Sequence, residues 1–200
     1  MSSPSLQCRG VQNTRVRDME FQIPLPPKAG SKDVPDFDPV RRAWWDVINL
    51  VYADPSCPMR LTLDLRIVGG SDMLLAPQRG NTLGTASIEV LTVPDAVTDG
   101  EWYGFCQKVY EKWAGCPTGA GAGGGEGRGA NGKVRPHWAK EWTGLKMGGT
   151  DAKVFLRDVA YRDEIQMFKD VLAEIGAKQG WGLGDLKARF SNEMWDAIVF

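Results

Sequence analysis

The sequence predicts an α+β fold, an antiparallel sheet with helices packed on one face. Three observations carry this prediction: two short stretches alternate apolar and polar residues with period two, apolar residues elsewhere recur at helical spacing, and strands and helices do not alternate regularly. Two hundred residues at 42% hydrophobic composition suffice for one domain with a core of its own.

The elements follow in chain order. Residues 1–16 are polar and irregular and read as a loose lead-in to a single domain over 17–200. In RDMEFQIPLP, Met19, Phe21 and Ile23 alternate with Asp18, Glu20 and Gln22, as in a strand with one buried face, and the prolines that follow end it. After the loop KAGSKDVPDFDP, Asp38 is placed to cap a helix that has Pro39 in its first turn. Val40, Trp44, Val47, Ile48 and Val51 form its apolar stripe to about Ala53, where ADPSCP stops it.

MRLTLDLRIV sets Leu61, Leu63, Leu65 and Ile67 against Thr62, Asp64 and Arg66. GTASIEVLTV is the next strand. Thr98 and Glu101 then form a capping box for a helix carrying Trp102, Phe105, Cys106, Val109 and Trp113 on one face. Residues 117–132 are half glycine and read as a flexible loop. Their GxGxxG match at Gly119, Gly121 and Gly124 has no strand before it and no helix directly after it, so it does not predict a phosphate cradle. Ile165, Phe168, Leu172 and Ile175 mark a later helix with Gly176 as its stop, and ARFSNEMWDAIVF predicts one more short helix.

Charge and cysteine content exclude several function classes. With 24 basic and 25 acidic side chains the chain has no field that favours nucleic acid. No apolar run approaches the roughly 20 residues of a membrane span, and the amino terminus lacks the apolar core of a secretory signal, so a cytoplasmic protein is expected. Cys8, Cys57, Cys106 and Cys116 lack metal-ligand spacing, and no metal is expected.

Chemistry is concentrated on the two central strands and in VRPHWAKEW, residues 134–142. If helices cover the leucine face, Thr62, Asp64 and Arg66 share the other one, where Asp64 can orient the Arg66 guanidinium. The alternative is a solvated strand face with a weak ion pair. The neighbouring strand adds either Glu89 and Leu91, or Ile88, Val90 and Thr92. Glu89 interrupts an apolar run and calls for a cation, with Arg66 the nearest plausible one. In the motif, His137 is an acid–base candidate near neutral pH or a packed structural residue. Lys140 is the side chain best placed to reach a ligand, and Trp138 and Trp142 anchor the segment.

VRPHWAKEW resembles the RPHWGK segment of sugar-1,4-lactone and alditol oxidases, flavoproteins of the vanillyl-alcohol oxidase type, and the corresponding segment of flavin-linked cholesterol oxidases. ARFSNEMW resembles the closing Phe-x-Asn pattern of that family, and LTLDLRIV its strand bearing Glu-x-Arg. The likeness covers residues from about 17 to 200 in order, as the substrate-binding cap domain. It implies a sheet lying over a flavin, with Asp64, Arg66 and Lys140 close to the substrate and Glu89 on the neighbouring strand. Asp64 stands where the family has Glu, Ala139 where it has Gly, and the glycine-rich insertion is foreign to the pattern.

The flavin-binding domain of that family precedes the cap, and nothing in these residues stands in for it. The expectation is therefore a flavin-less cap homologue that binds an apolar small molecule and catalyses a cofactor-independent cyclisation or isomerisation. Asp64, Arg66, Glu89, Lys140 and His137 are its catalytic candidates, and Thr62, Leu91, Trp138 and Asn192 its substrate-binding ones. The alternatives are a subunit or fragment of an oxidase that receives FAD from a separate domain, and a non-catalytic binding or oligomerisation module. The sheet face left exposed by a missing flavin domain predicts a homodimer through that face.

Overall fold

The computed structural model describes residues 15–116 and 134–200. The loose lead-in, apart from its last two residues, Cys8 and the glycine-rich segment with Gly119, Gly121 and Gly124 lie outside the described residues. The elements are β1 (Arg17–Pro24), α1 (Asp38–Ala53), β2 (Leu63–Val68), β3 (Thr85–Thr92), α2 (Asp99–Ala114), the two-residue β4 (Arg135–Pro136), and a small hairpin of β5 (Lys146–Met147) and β6 (Thr150–Asp151). Four helices follow: α3 (Ala152–Phe155), which runs into a π-helical turn over Leu156–Ala160, then α4 (Arg162–Gln179), α5 (Leu183–Phe190) and α6 (Glu193–Ile198).

The first four strands form one antiparallel sheet in the order β2-β3-β1-β4, an α+β architecture as the sequence predicts. Alternation decides which helices it carries. Met19, Phe21, Ile23, Ala86, Ile88 and Val90 are all fully buried on one face. There they meet Val40, Ala43 and Val47 of α1 and the Trp102–Trp113 stripe of α2. The Phe21 ring lies 5.1 Å from Tyr110 and 6.1 Å from Trp113. The Trp113 indole donates to the Ala43 carbonyl at 3.1 Å and so ties α2 to α1. Each such large side chain contributes about 1.5–3 kcal/mol through burial alone. The capping box at Thr98 and Glu101 starts α2 as predicted.

Four expectations need correction. Asp38 lies inside the first turn of α1, and it is the Asp36 carboxylate that accepts the Asp38 amide, at 2.9 Å. Gly176 does not stop α4. The helix continues to Gln179 and ends on Gly180 at φ +80°, a left-handed conformation that glycine adopts without strain. Gly176 instead lets Trp181 close in, since a Cβ there would meet the Trp181 carbonyl oxygen at 2.3 Å. Gly176→Ala is therefore expected to cost about 1–3 kcal/mol, read as a lower urea midpoint at unchanged slope. The carboxyl-terminal stretch holds two helices, α5 and α6, and Asn192 caps the second.

The fourth correction concerns the sheet. β1 has two buried faces: Glu20 and Gln22, read as the outward side of the strand, are 3% and 1% exposed. The segment between β2 and β3 and the chain after β4 cover them, so the central part of the second sheet face is a polar interior. β2 is the strand that stays open, with Leu65, Arg66, Ile67 and Val68 all exposed.

Cys57, Cys106 and Cys116 are free and buried. Burial raises the Tyr110 hydroxyl to about 12 and the Cys116 thiol to about 11, and pushes Cys106 and Tyr161 up as well. All four therefore hold their protons more tightly folded than unfolded. Stability should stay level below the ordinary thiol value of 9.0 and fall as pH rises towards about 12. Urea midpoints measured from pH 7 to pH 10.5 check this; a flat profile to the top of that range contradicts it.

Candidate functional site

Register builds the site. Glu20 pairs with Glu89, Gln22 with Ser87, Asp64 with Glu89 and Arg66 with Ser87. Paired residues share a face, so Asp18, Glu20, Gln22, Ser87, Glu89, Leu91, Asp64 and Arg66 stand together opposite the helix-covered side. This resolves the orientation of β3: Glu89 and Leu91 accompany Asp64 and Arg66, and Ile88 and Val90 face the core.

The VRPHWAKEW segment adds the last member. After β4, the His137 amide donates to the Glu20 carbonyl at 2.9 Å and the Glu141 amide to the Asp18 carbonyl at 2.9 Å, so the chain stays alongside β1. Between these anchors Lys140 turns over the sheet. Its Nζ donates to Asp18 Oδ2 at 2.6 Å and to Glu89 Oε1 at 2.7 Å. Burial pulls the Lys140 pKa down, but the bonds to Asp18 and Glu89 outweigh it and the net shift is upward. The ammonium is a fixed cation, not a base.

Glu89 is saturated. Its second oxygen, Oε2, accepts Arg66 Nη2 at 2.5 Å, and the carboxylate is 4% exposed. A carboxylate buried to this degree needs bonded partners, and Lys140 and Arg66 supply a charged donor to each of its oxygens. Glu20 Oε1 accepts the Ser87 hydroxyl and, at 2.8 Å, Gln22 Nε2, while its Oε2 lies 3.9 Å from Arg66 Nη1. Gln22 Oε1 accepts from Gln78, which fastens the covering segment onto the sheet. Only Arg66 reaches well into solvent, with 54% of its side chain exposed.

Asp64 is half-buried beside Arg66, but the guanidinium is held by Glu89 and not by Asp64, which corrects the expected Asp64–Arg66 clamp. Leu91 is half-buried on the same face, at the Asp18 position of the register. Thr62 precedes β2 and is exposed. His137 is half-buried, and its Nδ1 accepts the Ala139 amide at 3.3 Å, a local turn contact outside the polar cluster.

Trp138 is an anchor. Its indole donates to the Leu75 carbonyl at 2.7 Å, and its ring lies 4.9 Å from Tyr161, 5.4 Å from Trp195 and 5.7 Å from Trp142. Asn192 accepts the Trp195 amide at 3.0 Å as the α6 cap and makes no bond to the polar cluster. Arg135 serves the fold too. It bonds the Ala160 carbonyl at 2.5 Å and Glu164 at 2.6 Å, and lies 4.2 Å from the Tyr161 ring centre.

Sequence reasoning missed Asp18, Glu20, Gln22 and Ser87. The signal was present, since Asp18, Glu20 and Gln22 alternate in phase on β1, but only the cross-strand register turns that pattern into an interior. A separate groove of about 700 Å³ is lined by Tyr103, Gln107, Tyr110, Glu111, Lys146 and Gly149 among others, and shares no residue with the polar cluster.

Carboxylates already occupy the two helix N-termini that follow the loops after β1 and β3: Asp36 at α1, and Glu101 beside Thr98 at α2. No described helix is long and apolar enough to cross a membrane. No protein-family model, no curated protein and no solved structure matches the chain.

Proposed function

We propose that the polar sheet face is the substrate-side wall of an alcohol- or lactone-oxidising enzyme of the vanillyl-alcohol oxidase type, with the flavin carried by a separate domain. The single observation behind this reading is the Lys140–Glu89–Arg66 chain. A buried carboxylate holds an ammonium and a guanidinium at fixed positions on one sheet face, and the guanidinium is open to solvent. The resemblance of residues 134–142 to the RPHWGK segment supports it, because Lys140 is the residue the motif delivers to that face.

Such a pair binds an oxygen that gains negative charge. Arg66 has donors left after bonding Glu89, and Lys140 stays protonated, so together they hold a substrate hydroxyl or carbonyl oxygen and favour its anionic form. Glu89 does not take the proton, since both its oxygens are engaged. It sets the distance between the two cations. Glu20 Oε2, 3.9 Å from Arg66 Nη1, accepts no hydrogen bond from a described residue and is suited to accept a hydroxyl proton. A flavin, when supplied, would contribute the electron acceptor.

A second reading, cofactor-independent cyclisation or isomerisation, is favoured by the same cluster being complete within one chain. Product analysis separates the two. The oxidase reading predicts no conversion of alcohols or lactones by the chain alone, and products lacking two hydrogens once a flavin-carrying domain is added. Isomers of unchanged mass formed by the chain alone support the second reading and remove the first.

A further inference from the structure

We infer that β2 is a homodimerisation edge, at which two copies of the chain join antiparallel about a twofold axis through Leu65. Arg66 also belongs to the functional reading above, but the test below reads association and not activity.

Among the described residues β2 pairs only with β3, so its outer backbone groups have no strand partner. Free edges are normally blunted by lysine, proline, a bulge or a covering helix. Leu63–Val68 contains no lysine and no proline, its ladder to β3 is continuous, and Leu65, Ile67 and Val68 are 40%, 50% and 39% exposed. Helices α1 and α2 cover β1 and β3 and leave these apolar side chains open. Leu61, just ahead of β2, is also exposed, at 37%.

The occupant is argued from the strand itself. Read outward from Leu65, LDLRI is self-complementary under an antiparallel twofold: Leu65 meets Leu65, Asp64 meets Arg66 and Leu63 meets Ile67. Charge complementarity therefore arises twice, once on each side of the axis, on the polar face. Apolar side chains meet on the other face. Asp64 forms no hydrogen bond or ion pair among the described residues, and Arg66, though bonded to Glu89, keeps free donors in solvent. Pairing gives Asp64 a cation, extends the sheet to eight strands across the dimer, and brings Asp64 of the second copy to the rim of the Arg66–Glu89 cluster.

Analytical ultracentrifugation of the full chain from about 1 to about 100 µM tests this. The wild type should convert from monomer to dimer across that range. Asp64→Lys sets lysine against arginine at both pairs and should move the midpoint at least about tenfold higher. It breaks no bond among the described residues, and an unchanged circular dichroism spectrum verifies the fold.

Leu65→Cys, in a Cys8→Ser background, reports the register, because the twofold brings the two Cα atoms to about 4.5–5.5 Å, within disulfide reach. Mild oxidation should give a covalent dimer from this variant and none from Cys8→Ser alone. A chain that stays monomeric throughout overturns the inference. So does a dimer that ignores Asp64→Lys or fails to cross-link through Leu65→Cys.

Discussion

Lys140→Met should cost the fold about 2 kcal/mol and abolish ligand binding at the polar face. The stability loss follows from what remains: Asp18 loses its ammonium partner, and buried Glu89 retains only Arg66. Adding Asp18→Asn should recover part of the stability, because the neutral amide no longer needs the cation, while ligand binding stays lost. Urea denaturation of the two single variants and the double variant measures this coupling. Simple additivity would mean that Lys140 and Asp18 do not act as a pair.

Arg135→Met should show the opposite balance. Arg135 is five residues away in the same motif but faces the carboxyl-terminal helices, where it bonds the Ala160 carbonyl and Glu164 and lies over Tyr161. Removing one partner of a pair this buried costs about 3 kcal/mol or more, since Glu164 and the carbonyl keep their desolvation cost without its return. Ligand affinity, measured where the variant is still folded, should be close to that of the wild type. If Arg135→Met weakens binding as much as Lys140→Met does, the motif does not divide into a structural arginine and a functional lysine.

The sequence carried strands β1 to β3, most helices and the pairing of Glu89 with Arg66. These are legible because they depend on local pattern: period two in β1 to β3, a capping box at Thr98, and a carboxylate stranded in an apolar run. What was not legible depends on neighbours far along the chain. Glu20 and Gln22 look like solvent positions until the segment around Gln78 and the chain after Pro136 close over them. Asp64 looks like the natural partner of Arg66, two residues away on one strand, until β3 places Glu89 closer. Gly176 looks like a helix stop because nothing local reveals that Trp181 needs its missing side chain. Trp138 and Asn192 show the same limit from the other side, for their partners Leu75, Tyr161 and the α6 amides are fixed by tertiary contacts and helix start, and not by spacing in the motif.

The central claim is that the Lys140–Glu89–Arg66 chain forms a ligand-bearing surface, and nuclear magnetic resonance of the purified chain addresses it most directly. The side-chain nitrogens of Arg66 and Lys140 can be followed during titration with a panel of polyols, sugar lactones and other alcohols. Saturable shifts are expected at both side chains with at least one class of these compounds, and they should disappear in Glu89→Gln, which loosens both cations. Shifts confined to the groove at Tyr103, Gln107 and Lys146, or shifts at Arg66 and Lys140 that persist in Glu89→Gln, would contradict it.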